Sequence, residues 1–186
     1  ELWAYLESYE EKTKGAVLAI PHNSNISQGN MFSLNNIQGL PLNEAYANKR
    51  SRWEAIVEVT QNKGDSETHP LLSPKDEFSD YETWDGSLYN LAVKKTNLPH
   101  EYVRSALKLG LNQQSKLGVN PFKYGMIGST DSHSSLASAD DNNYWGVMPT
   151  PNRINTLSAT GVKAWRRSAT GYAAVWAEEN TREALF

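Results

Sequence analysis

The sequence predicts an α/β fold with a parallel sheet, and three observations lead there. Short apolar, strand-like runs recur along the chain. Segments with helical spacing separate them. Long Asn-, Ser- and Gly-rich loops follow two of the strands. In such folds functional groups gather at the carboxyl ends of the strands.

Each element has its own warrant. Residues 1–13 place Leu2, Leu6 and Tyr9 at helical spacing among Glu and Lys, which gives an amphipathic helix. "GAVLAI", 15–20, is a continuous apolar run closed by Pro21, the pattern of a buried strand. Residues 23–41 are rich in Asn, Ser and Gly and read as a long loop. "NEAYANKRSRWE", 43–54, reads as helical, and "AIVEVT", 55–60, as a β-branched strand. A second polar stretch, 61–86, carries a short helix from Lys75. Residues 100–118 form the strongest helix, with Val103, Leu107 and Leu111 on one face and Gly118 as the stop. "KYGMIGST", 123–130, is the third strand. Beyond Asp140 the chain is Asn-, Gly- and Thr-rich until a terminal helix near Thr181, with Asn180 as its cap. Helical crossovers between the three strands demand parallel neighbours and leave an open sheet edge. No internal repeat or linker divides the 186 residues, a length sufficient for one domain with a core.

Composition excludes several functions. The chain has no cysteine, which removes disulfides, thiol catalysis and cysteine-ligated zinc. That absence fits a periplasmic or secreted protein without demanding one. Net charge is -3 and the isoelectric point lies near 5.8, against the basic patch of a nucleic-acid binder. No apolar run is long enough to span a membrane. Six Trp and nine Tyr offset a low mean hydropathy of -0.61, because aromatic side chains bury much area each.

The four histidines carry the functional signal. His22 ends "GAVLAIPH" and His133 ends "GMIGSTDSH", while His69 lies in the loop after the strand that holds Glu58. Asp131 and His133 stand two apart, so in an extended chain both project to one side. Three strand ends thus present His or carboxylate to one rim, a donor set that suits Zn²⁺, Mn²⁺ or Fe²⁺. Against this stands the plainer reading, a solvated histidine in a polar loop. His100 follows Pro99 at the start of the long helix and reads as a helix-start residue.

Four stretches, "AIPHNSNISQGNMF", "IVEVTQNKGDSETHP", "YGMIGSTDSH" and "VWAEENTREALF", closely resemble one family. It is the family labelled domain of unknown function 3604, within the polymerase and histidinol phosphatase (PHP) superfamily. The resemblance implies part of a distorted seven-stranded α/β barrel with two or three divalent metal ions at the carboxyl rim. It implies metal-dependent phosphoester hydrolysis of a small-molecule substrate. His22, Glu58, Asp131 and His133 match metal-ligand positions, and His133 or His69 would protonate the leaving group. The superfamily's His-x-His motif and the acidic ligand before His22 are absent. The expectation is therefore the carboxyl-side portion of a larger barrel, its open edge covered by the missing part or by another chain.

Other residues carry two readings each. In "QNKGDSE", Lys63 could neutralise a phosphate oxygen and Glu67 could orient a ligand histidine, with Gln61 and Ser66 alongside. The alternative is a solvated turn around Gly64. Asn23 and Asn25 bind substrate or cap the loop, and Asn25-Ile26-Ser27 fits a glycosylation sequon. Trp165-Arg166-Arg167 is an anion site or a helix face with its Trp inward. Two other functions stay open: a binding or structural module without chemistry, and metal-dependent hydrolysis of a non-phosphate ester or amide.

Overall fold

The computed structural model describes residues 2–84, 94–131, 133, 142 and 172–185. Their order is α1 (Leu2–Thr13), α2 (Glu44–Trp53), β1 (Ile56–Gln61), β2 (Gly64–Asp65), α3 (Val103–Leu117), β3 (Gly125–Gly128) and α4 (Arg182–Leu185). The described strands make one sheet, ordered β2-β1-β3.

The pairing of β1 with β3 is parallel, as the crossover through α3 requires. The register shifts between Glu58 and Thr60, a bulge of the kind that re-aims side chains at a strand end. β2 departs from the all-parallel expectation. It turns back on β1 as an antiparallel hairpin, Gln61 opposite Gly64, with Asn62 and Lys63 as the two turn residues. Gly64 is required there: its φ is 97°, and a Cβ would stand 2.6 Å from the Trp84 Cβ.

The run at 15–20 is not a strand. One backbone bond leaves the run, from the Ala19 N–H to the Trp53 carbonyl (2.8 Å), and a second joins the Glu58 N–H to the Pro21 carbonyl just after it (3.2 Å). Two such bonds do not make a ladder, and Leu18 and Ile20 are exposed. An uninterrupted apolar run is also compatible with an irregular segment, and periodicity does not separate the two.

The other helices follow their local signals. The Asn43 side chain caps α2 by accepting the Tyr46 N–H at 2.9 Å. Gly118, at φ 76°, ends α3 in a left-handed cap. α3 buries Val103, Ala106, Gly110 and Gln113, a face rotated from the expected one, and Leu111 is exposed. Small residues set that face, because a Cβ at Gly110 would collide with the Asn120 side chain. At α4 it is Thr181, not Asn180, whose hydroxyl accepts the Ala184 N–H. Trp165, Arg166 and Arg167 lie outside the described residues, as does most of the segment beyond Asp140.

The core lies under the β1–β3 pair: Phe32, Leu42, Val57, Val103, Ala106, Phe122 and Tyr124. Phe32 meets Phe122 edge-on, with ring centres 5.8 Å apart. The 23–41 loop is anchored into this core by Phe32. His100 binds the Phe32 backbone twice, Nδ1–H to its carbonyl and its own carbonyl to the Phe32 N–H, each at 3.0 Å. His100 is thus a structural clamp, as its place at a helix start suggests.

Candidate functional site

The carboxyl ends of β1 and β3 bring together His22, Glu58, Lys63 and Asp131. His22 arrives on the segment tied to β1 through the Pro21 carbonyl. Glu58 comes from β1 beside the bulge, Lys63 from the hairpin turn, and Asp131 from the turn after β3.

His22 Nδ1 lies 2.7 Å from Glu58 Oε2. A carboxylate only accepts, so Nδ1 carries the proton, and Nε2 is the ring nitrogen left facing away from Glu58. The Asn23 backbone N–H donates to the same Glu58 oxygen at 3.2 Å. Asn23 reaches it from the left-handed region, φ 55°, which Asn tolerates better than most residues. Two donors thus fix Glu58, and Glu58 fixes the imidazole.

His22 Nε2 faces Asp131 Oδ1 at 3.7 Å. That is too long for a hydrogen bond. Two donors that each stand about 2.0–2.2 Å from a shared tetrahedral ion are themselves about 3.4 Å apart. The pair therefore fits as two members of a metal-ligand set. Glu58 takes the place of the carboxylate that orients a ligand histidine from behind. Among the described residues no group of three or more His, Cys, Asp and Glu is arranged to hold an ion by itself.

Asp131 Oδ2 carries the opposite load. The Lys63 ammonium pairs with it, and the Asn62 amide donates to it at 3.2 Å. Lys63 and Asp131 side chains are only 11% and 15% exposed, whereas His22 is 45% exposed. The charged pair is sunk into the rim, and the imidazole edge is open to solvent.

The turn that supplies Lys63 is not solvated. Gln61 and Asn62 are 2% and 3% exposed, and Ser66 is as deeply buried. Buried polar groups need partners, and the 22–26 loop supplies them. Gln61 donates to Asn23 Oδ1, and the Ser66 hydroxyl donates to Asn25 Oδ1 at 2.8 Å. The Asn25 amide donates to the Lys63 and Trp84 carbonyls, at 3.1 and 2.8 Å. Asn25 is thus an internal tie between loops and is buried away from any glycosylation.

The remaining candidates separate. Glu67 is engaged by Arg104, at 2.8 Å from Nε and 2.5 Å from Nη2, and Arg104 also holds Asp76 at 2.5 Å. Orientation of a histidine falls to Glu58 instead. His69 is buried, its Nδ1 accepts the Leu71 N–H at 3.1 Å, and its ring packs 5.5 Å from the Tyr102 ring. His133 is exposed. Asp131 has φ 51°, so the chain is not extended there, and spacing alone does not put His133 on the Asp131 side.

The sequence reading passed over Asn62, which binds the Asp131 turn through three oxygens. A signal was present: Asn immediately before Lys-Gly after a β-branched run marks a tight turn at a strand end.

Site and fold define a protein of helices and a small three-stranded sheet with a largely shielded lysine–carboxylate pair beside an open, carboxylate-oriented imidazole. The family model for "Protein of unknown function (DUF3604)" matches residues 1–186, so the chain belongs to that family. No curated protein and no solved structure matches it.

Proposed function

We propose that this protein is a metal-dependent hydrolase of small phosphoesters, related to the PHP superfamily and its seven-stranded barrel. The observation that carries the reading is the facing pair of His22 Nε2 and Asp131 Oδ1, with Glu58 bound to the far side of the imidazole. A divalent ion suits this mixed imidazole and carboxylate set. His22 and Asp131 would hold it.

When bound, such an ion lowers the pKa of a bound water and neutralises charge on a phosphoryl group. The chain's own residues do the rest. Glu58 keeps the His22 Nδ1–H in place, so Nε2 is the nitrogen directed to the ion. Lys63 sits beside Asp131 as a cation with a flexible stem, suited to a phosphoryl oxygen as a point charge. His133, exposed two residues beyond Asp131, is the candidate proton donor to the leaving group. His69 is assigned a structural role, because its Nδ1 already accepts from its own turn.

The test is a panel of phosphate and carboxylate esters with added Mn²⁺ or Zn²⁺, and Asp131→Ala as control. Metal-stimulated phosphoester turnover that Asp131→Ala loses supports the proposal. Turnover confined to carboxylate esters or amides moves the substrate class. Metal binding with no turnover of either class favours a binding module.

Melting temperature with and without metal gives a second readout. A ligand that binds the folded state alone stabilises it by an amount set by concentration over dissociation constant.

A further inference from the structure

We propose that Asn62 is the positioning residue for Asp131, selecting which carboxylate oxygen faces His22. The inference rests on the metal reading above for its consequence, although its geometry stands apart from that reading. Asn62 occupies the first position of the β1–β2 turn and is 3% exposed. Its Nδ2 lies 3.0 Å from the Thr130 carbonyl, 3.1 Å from the Asp131 carbonyl and 3.2 Å from Asp131 Oδ2. One buried amide therefore grips the backbone on both sides of the Asp131 nitrogen and the side chain as well.

Two consequences follow. The first concerns the backbone. Asp131 is left-handed at φ 51°, a conformation that Asp reaches more readily than most non-Gly residues and that still carries a cost its surroundings offset. The two carbonyls bound by Asn62 are those that flank this rotation, so the amide fixes the turn. The second concerns the carboxylate. Asn62 and Lys63 both bind Oδ2, which leaves Oδ1 as the oxygen turned toward His22 Nε2. Asp131 is thereby set to offer one oxygen rather than a bidentate edge. The hairpin, a feature of the opposite strand, in this way determines the aim of a residue that follows β3.

The experiment has three arms. In the wild-type protein, amide exchange by NMR should show the Asn62 side-chain protons at least tenfold slower than those of exposed Asn112. Fast exchange at Asn62 overturns the proposal without any variant. Metal-free crystal structures of Asn62→Ala and Asn62→Leu, the second keeping the volume without the donor, should show Asp131 out of the left-handed region and Oδ1 turned from His22. An unchanged Asp131 in either variant contradicts the proposal. Isothermal titration with Mn²⁺ should show affinity reduced by about 10–100-fold in both variants, the range for a lost outer-sphere partner. Saturating Mn²⁺ should restore turnover in these variants and not in Asp131→Ala, a rescue that a merely destabilised fold would not show. Affinity within twofold of wild type overturns the positioning role. Wild-type protein that binds no Mn²⁺ would sink the metal reading, while the exchange and crystal arms would still decide on Asn62.

Discussion

Two acid–base clusters hang from the same hairpin and differ in almost every respect that matters. At the rim, Lys63 and Glu58 belong to β1 and its turn, and they engage Asp131 and His22. On the outer face, Glu67 follows β2 and engages Arg104, which also binds Asp76. The rim carboxylates Glu58 and Asp131 are 13% and 15% exposed, whereas Glu67 and Arg104 are 48% and 42% exposed. Removing charge from water is costly, and a buried pair is weak ground for stability. An exposed pair costs little and contributes little. The cluster that the fold holds at a cost is therefore the one to associate with chemistry, and its neighbour reads as surface trim.

The comparison breaks most visibly at Asp131. Asp131→Ala leaves the Lys63 ammonium without its carboxylate in a buried rim and removes the oxygen that faces His22. Metal-stimulated hydrolysis should fall by more than about 100-fold, beyond the usual loss for an outer partner. An initial-rate assay across metal concentrations checks this, and activity within tenfold of wild type would erase the distinction between the clusters.

Glu58→Gln is milder. The amide retains the shape and loses the charge that holds the His22 Nδ1–H. Mn²⁺ affinity should drop by about 10–100-fold, as measured by calorimetry, with melting temperature little changed.

Asp65 sits between the two clusters and sharpens the contrast through pH. Burial pushes its carboxyl up to about 6, against the pull of backbone N–H groups of Glu67 and Thr68. The folded value exceeds the ordinary carboxylate value, so the native state holds the proton more tightly than the unfolded chain. Stability from this group is complete below about pH 4 and is lost as pH rises through about 6. Because Asp65 is partly exposed, the full shift is discounted. Denaturation of wild type and Asp65→Asn should show the variant gaining about 1–2 kcal/mol relative to wild type between pH 4 and pH 8. A pH-independent difference would contradict the burial account.

The smallest effect is expected at Arg104. Arg104→Ala should cost under about 1 kcal/mol, shrink further in high salt and leave Mn²⁺ affinity unchanged. Denaturant midpoints at low and high ionic strength test this.

The legibility of these features in the sequence followed the range of the interactions. β1, β3, α2 and α3 were marked by local patterns: the β-branched run, the apolar strand before Ser129, the Asn43 cap and the Gly118 stop. Gathering His22, Glu58 and Asp131 at strand ends needed only the expectation of a parallel sheet. The 15–20 run failed because apolar continuity does not specify a ladder, which requires a partner along its length. Alternation does not apply between Asp131 and His133, because Asp131 is left-handed and bound by Asn62, a contact across 69 positions. The exchange of the orienting role from Glu67 to Glu58 was not legible in sequence, since it turns on burial and on the arrival of Arg104 at Glu67.

The most direct test is anomalous diffraction from crystals grown with Mn²⁺. The account predicts a peak at about 2.0–2.2 Å from both His22 Nε2 and Asp131 Oδ1, with Glu58 still on Nδ1. Crystals with no peak at that point, or with Mn²⁺ bound only at other residues, would contradict it.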